Sequence, residues 1–409
     1  DGRGTGPAGG APTTSAGGGT GSTSTTALDG AGWKQLPRAP IAGREGHNAV
    51  WTGREMVVWG GIGDPTADPL TDGAAFDPQA RTWRRIAPAP LAPRTEAEVF
   101  WTGTEMVVFG GFSVEVDPLM DGAAWNPASD TWRRITAPPI GVRDGMVIAW
   151  AGDRLVVWGG ATIPSLDDPD AETVMHNDGA AWVAAGGDWV ALPAAPITPR
   201  SAAESVWTGT RLVVTGGYNI GEEDDRRDGA AFDPLSGTWS PIAARPVPGS
   251  CGGAVPCAGV WTGSVALFPG TGVTYDPAGD RWSAMAALPA GDGLVTEETA
   301  TWTGRRLLVW GNTPPTSDGD EVESVEGDGT TGDGAEVIDD GEMADEESRG
   351  PAAAFGYDPA ANRWEAFPVG PLAGREYHSA VWTGQEMLVW GGNAGDTGLA
   401  DGAAYRPAG

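Results

Sequence analysis

The sequence predicts an all-β protein, a seven-bladed β-propeller of four-stranded antiparallel blades closed by its N-terminal strand pairing with the last blade. Three observations lead there. A Trp-Thr-Gly turn recurs at Trp51, Trp101, Trp207, Trp261, Trp302 and Trp382, with WAGD at Trp150 as a variant. A second series, in segments such as DPQARTW and NPASDTW, falls at Trp33, Trp83, Trp132, Trp189, Trp239, Trp282 and Trp364, so both series count seven. The ends then complement each other: the chain stops after three strands at DGAAYRPAG and starts with an orphan fourth strand, GWKQLP.

Each unit reads in order as a strand (HNAVW), a tight TG turn, a strand (EMVVWGG), a variable loop, a strand (DGAAFD), an Asp-Pro turn and a strand (TWRRI). Short apolar runs punctuated by Gly, Pro and Asp are the mark of antiparallel strands. A lone four-stranded sheet of this kind would expose apolar side chains on both faces, so it must stack on copies of itself, and a ring of blades leaves no open end. Residues 49–61 (AVWTGREMVVWGG) and 380–392 (AVWTGQEMLVWGG) are nearly identical because they occupy the first and last blades, which become neighbours.

All 20 tryptophans fall on repeat positions. Such periodicity points to packing between blades, each indole burying on the order of 150 to 250 Å², rather than to a sugar-stacking platform. R-x-x-H-x-A-V-W-T-G, then V-V-W-G-G, a Tyr/Phe-Asp-Pro turn and a late Trp resemble the kelch repeat over residues 31–409. Galactose oxidase has a central domain of this kind. The resemblance implies the same propeller without the oxidase chemistry, because no crosslinked Cys-Tyr pair with two histidine ligands has counterparts here. The double glycine stands at Gly60, Gly110, Gly159, Gly216 and Gly391 with the residue after each, but becomes Pro269-Gly270 and Gly311-Asn312 in the fifth and sixth units.

Twenty-five basic against 55 acidic side chains give a net charge of -30, with Lys34 the only lysine. That charge repels nucleic-acid phosphates and anionic lipid surfaces within a Debye length. No apolar run approaches the roughly twenty residues of a membrane-spanning helix. Residues 1–30, rich in Gly, Ser, Thr and Pro, read as a flexible tether. Cys251 and Cys257, in CGGAVPC, read as a short disulfide ring, with free thiols the alternative. A disulfide and a tether together lead to the expectation of an extracellular or cell-surface monomer, exported and tethered. Residues 313–350 carry 14 acidic side chains against one arginine and read as a disordered insertion in blade six. No cofactor is expected: the insertion reads as a solvating spacer, because Asp318-Gly319-Asp320 departs from an EF-hand loop at Val322, with weak calcium binding the minor alternative.

In this topology the loops between strands two and three share a face with the approaches to strand one, and they vary widely from unit to unit. Variable loops on a rigid scaffold are where binding usually resides. Counting back seven from each Trp-Thr-Gly tryptophan gives Arg44, Arg94, Arg143, Arg200, Ala254, Val295 and Arg375, five arginines expected to ring the channel mouth. Glu45, Glu96, Glu98, Asp144, Glu204, Glu297, Glu298 and Glu376 follow just inside. Convergence makes this mouth the candidate site, with interblade ion pairs as the structural alternative. R-E-G-H (Arg44, Glu45, His47) and R-E-Y-H (Arg375, Glu376, His378) echo each other. Two His and two Glu could hold a metal or form an acid/base pair, but histidine here also matches the repeat consensus, which implies a structural hydrogen bond.

The sequence therefore supports a propeller binding a carbohydrate or protein ligand on its variable-loop face. The alternative is an epimerase-like carbohydrate enzyme, with Glu45, Glu204 or Glu376 as acid/base and the arginines holding a substrate carboxylate. A purely structural scaffold for protein partners is the third reading.

Overall fold

A computed structural model describes residues 32–64, 68–113, 118–162, 172–219, 226–249, 258–289, 299–312, 351–395 and 397–408. The tether, the cysteine pair, Glu297, Glu298 and the acidic insertion lie outside the described residues.

Seven antiparallel sheets form a closed ring. Blade one is typical, with Asn48–Trp51 innermost, then Met56–Trp59, Gly73–Asp77 and Thr82–Arg85. The innermost strands of blades two to seven are Glu98–Trp101, Asp144–Ala151, Glu204–Trp207, Val260–Trp261, Thr299–Trp302 and Ser379–Trp382. Blade three departs from four strands: the short strand Val174–Met175, in its variable loop, pairs with the long second strand Arg154–Thr162. The innermost strands of blades one and seven touch, as do those of one and two.

Closure is as the chain ends imply. Gly32–Gln35 pairs antiparallel with Gly402–Arg406, placing Trp33 opposite Tyr405. The same pairing recurs around the ring, Trp83 opposite Phe76 and Trp239 opposite Phe232, with ring centroids 5.1, 5.0 and 5.1 Å apart in the three pairs.

Apolar runs rather than alternation mark the middle strands, because both faces of each blade are covered. Met56–Trp59, Met106–Phe109 and Met387–Trp390 are buried at every position. Seven apolar clusters result among the described residues, each drawing on two adjacent blades. The cluster joining blades seven and one contains Met56, Val58, Phe76, Leu388 and Trp390.

The tryptophans divide into two kinds. Trp59, Trp125, Trp158, Trp182, Trp310 and Trp390 are fully buried, while the Trp-Thr-Gly and outer-strand series are half-buried and pack against the clusters. The outer-strand series also latches each blade to the one before. Its indole N–H groups donate to carbonyls just after the preceding blade's outer strand: Trp83 to Pro37 at 2.9 Å, Trp132 to Ala87 at 2.8 Å, Trp189 to Thr136 at 2.7 Å and Trp239 to Pro193 at 3.1 Å. Trp282 reaches Ala243 at 2.8 Å and Trp364 reaches Ala286 at 2.9 Å. Trp33 completes the set by donating to Pro368 at 2.5 Å, so the N-terminal strand carries the same latch as every other outer strand.

Candidate functional site

The five arginines do not stand open at the mouth. Arg44, Arg94 and Arg200 are 0 %, 1 % and 0 % exposed, and Arg143 and Arg375 are 5 % and 2 %. Each points back into its own blade. Nη1 donates to the carbonyl sixteen residues on, that of the first glycine in the pair: Gly60 at 3.0 Å, Gly110 at 2.9 Å, Gly159 at 3.2 Å, Gly216 at 2.9 Å and Gly391 at 3.1 Å. The guanidinium also pairs with the aspartate that opens strand three: Asp72 at 2.7 Å, Asp121 at 2.9 Å, Asp178 at 2.8 Å, Asp228 at 2.8 Å and Asp401 at 2.7 Å.

The clamp explains three parts of the repeat together. It fastens the end of strand two, the approach to strand one and the start of strand three, satisfying carbonyls that the turning chain leaves over. The first glycines have φ from +70° to +74° and the second from +81° to +88°, where a side chain is strained. A Cβ on Gly392 would also meet the Glu376 carbonyl at 2.5 Å. Blades five and six lack the arginine, the glycine pair and the Asp-Gly at once. The sequence signal for the clamp was therefore the constant sixteen-residue offset and this joint absence.

Burying the arginines corrects the expected mouth of mixed charge, because desolvated guanidinium groups stay with carbonyls and carboxylates that replace water. The epimerase-like alternative loses the cations that were to hold a substrate carboxylate. Its acid/base candidates do not form one group: Glu45 and Glu376 both meet Asn393 at the boundary of blades one and seven, while Glu204 lies in blade four. Glu204 is 7 % exposed and forms an ion pair with the buried Arg245, while Thr271 Oγ1 donates to it at 3.3 Å. Glu45 accepts from the side-chain amide of Asn393, across the boundary of blades one and seven. Glu376 is half-buried. Arg245 and Asn393 carry no repeat signal in the sequence.

The two histidines perform one structural task in successive blades. His47 Nε2 is hydrogen-bonded to Ser379 Oγ of blade seven at 2.8 Å, and His378 Nε2 to Thr299 Oγ1 of blade six at 3.1 Å. Each ring stands edge-on to a buried indole, Trp390 and Trp310, with centroids 5.0 Å apart in both cases. Burial, aided by Arg44, lowers His47 to about 3. Burial and Arg375 lower His378 to about 4, so both are neutral at pH 7. Among the described residues no group of three or more His, Cys, Asp or Glu could hold a metal ion.

Acidic side chains remain accessible at the mouth. Glu96 is exposed and holds a left-handed φ of +54°. Asp144 is half-buried and accepts from the Gly145 N–H at 2.6 Å. Glu98 heads the innermost strand of blade two; water reaches it, yet surrounding strands enclose it and push its carboxyl up to about 7.

A family model described as the KLHDC2/KLHL20/DRC7 Kelch-repeats domain matches residues 38–270, more than half of the 409. The chain belongs to the kelch-repeat family. No curated protein is matched by it. In this kelch propeller the matched stretch spans blades one to four and ends within blade five, the first blade without the clamp.

Exposed apolar side chains mark a surface on the variable-loop side. Among the described residues eight large hydrophobic side chains stand exposed. Tyr218 and Val174 sit in loops between strands two and three, Val142, Val247 and Val369 on linkers from an outer strand to the next blade, and Tyr377 just before an innermost strand. All six positions belong to one face of the ring. The remaining two are Val190, on an outer strand, and Leu235, on an opposite-face turn.

Proposed function

We propose that this kelch propeller is an interaction scaffold that holds a protein partner on its variable-loop face. The observation that carries the reading is the gathering of six of the eight exposed large apolar side chains on that face. Scattered single apolar residues are ordinary on a protein surface, whereas apolar residues collected on one face and rimmed by polar groups mark association surfaces. The channel mouth on this face is acidic, through Glu96, Asp144 and Glu376, because the neighbouring arginines are turned inward. The partner therefore contributes lysine or arginine opposite the mouth and apolar side chains against the loops and linkers around it.

The test places a photo-crosslinking amino acid at Tyr377 and, separately, at Leu235, in cells that express the protein. Crosslinking to a protein from position 377 but not from 235, lost in a Tyr218→Ser/Val142→Ser background, is the expected result. Equal crosslinking from both faces, or none from 377, would remove the basis for this reading.

A further inference from the structure

The opposite face carries a second feature, independent of the loop-face reading. The fourth residue after each Trp-Thr-Gly-type tryptophan stands at the entry to strand two, immediately before it except in blade three, where Arg154 is its first residue. In blades one and two it is a glutamate gripped by two nitrogens of an outer-strand arginine. Glu55 accepts from Arg84 at 2.9 and 2.7 Å, and Glu105 from Arg133 at 3.1 and 2.6 Å. Blade six inverts the charges, with Arg306 donating to Glu365 at 2.7 Å. Blade three has Arg154, which turns to Asp153 at 2.8 Å.

Blade four has the arginine and lacks its anion. Ser240 stands opposite Ala231, as Glu365 stands opposite Gly356 in blade six. The backbone of Arg211 is held by Thr208, whose Oγ1 accepts from the Arg211 N–H at 3.0 Å. Its exposed guanidinium makes no hydrogen bond or ion pair with the described residues. Two carboxylates lie near it without forming an ion pair: Asp280 Oδ1 accepts from Tyr275 Oη and from the Ala243 N–H, each at 2.8 Å, and Asp233, which feels the charge of Arg211, accepts through Oδ1 from the Leu235 N–H at 2.9 Å.

A cleft of about 480 Å³ lies between blades four and five, lined by Arg211, Ser240, Ile242, Asp280 and the half-buried Trp261; Asp280 is bonded to Tyr275 and to the Ala243 N–H, which leaves Arg211 as the charge in this cleft without a hydrogen bond or ion pair to the described residues. The corresponding cleft between blades one and two, about 620 Å³, is lined by Arg54, Glu55, Asp77 and Arg84. Those four pair with one another, Arg54 with Asp77 at 3.6 Å and Arg84 with Glu55 at 2.7 Å, so that cleft neutralises itself.

We infer that the cleft between blades four and five is a docking site for an acidic side chain of a bound polypeptide. The ligand's carboxylate takes the place beside Arg211 that Glu365 takes beside Arg306, and an adjacent apolar residue covers Trp261 and Ile242. Arginine and carboxylate favour this two-pronged geometry, and an uncharged amide reproduces only part of it.

The probes are N-acetyl-Leu-Glu-amide and its Gln counterpart, titrated into the full chain while NMR follows the Arg211 Nε–H and Trp261 indole N–H signals. The Glu probe is expected to move both signals and to bind at least about tenfold more tightly than the Gln probe. Arg211→Gln should abolish the difference. Ser240→Glu restores an in-chain partner, so it should shift the Arg211 signal without any probe and block binding. Equal affinity for the two probes, no response of either signal, or undiminished binding by Ser240→Glu would each overturn the assignment.

Discussion

Arg94→Ala tests whether the clamp is the structural reason for the repeat's arginine. The guanidinium donates to three carbonyls, Ala92 at 3.1 Å, Gly110 at 2.9 Å and Asp121 at 3.1 Å, and to Asp121 Oδ1 at 2.9 Å. Each carbonyl bond contributes about 1 kcal/mol, and an acceptor left buried without a donor costs somewhat more. The Asp121 side chain is 38 % exposed, so its carboxylate rehydrates and that pair adds less than about 1 kcal/mol. The expected loss is about 3 to 4 kcal/mol, within the range for breaking a buried ion pair. Urea unfolding measures it, and amide hydrogen exchange locates it. Leu119, which donates to Gly111 at 2.8 Å, and Phe112, which donates to Thr95 at 2.9 Å, should exchange faster, with amides of blade five unaffected. Arg143→Ala should cost less, since its carbonyl bonds are longer, 3.2 and 3.3 Å, and its Nε has no partner. An Arg94→Ala protein within about 0.5 kcal/mol of the parent would refute the argument, because that is the scatter of ordinary surface substitutions.

Two further outcomes follow from other bonds. His47 and His378 are held at about 3 and about 4, below the unfolded value of 6.5; the unfolded chain therefore binds protons first as pH falls, so their contribution is complete above 6.5 and is lost towards 4 and 3. At pH 5.5 each histidine costs about 1.4 kcal/mol relative to pH 8, and His47→Gln with His378→Gln should flatten the pH dependence of the urea midpoint between pH 7 and 5; an unchanged slope would count against it. Trp33→Phe keeps a ring beside Tyr405 but removes the bond to Pro368 that closes the circle. It should lower stability by about 1 kcal/mol and accelerate exchange along Gly402–Arg406, while unchanged exchange there would show that the latch contributes nothing to closure.

The blade count and the closing strand were legible in the sequence because they depend on local periodicity. A strand with both faces covered must be apolar throughout, and an aromatic opposite each outer-strand tryptophan recurs every blade, as with Phe76 and Trp83 or Tyr405 and Trp33. Register and closure follow from such repeats without knowledge of side-chain direction. The site was legible only as a set of positions. Arg44, Arg94, Arg143, Arg200 and Arg375 were placed at the correct level of the ring, yet whether a guanidinium faces the channel or its own blade depends on where its acceptors lie. Those acceptors are a glycine carbonyl sixteen residues on and an aspartate 26 to 35 residues on, brought together only when strands two and three pair. The same reason separates Arg211 from Arg306, which look alike in the chain: Ser240 and Glu365 are their neighbours only across a folded blade.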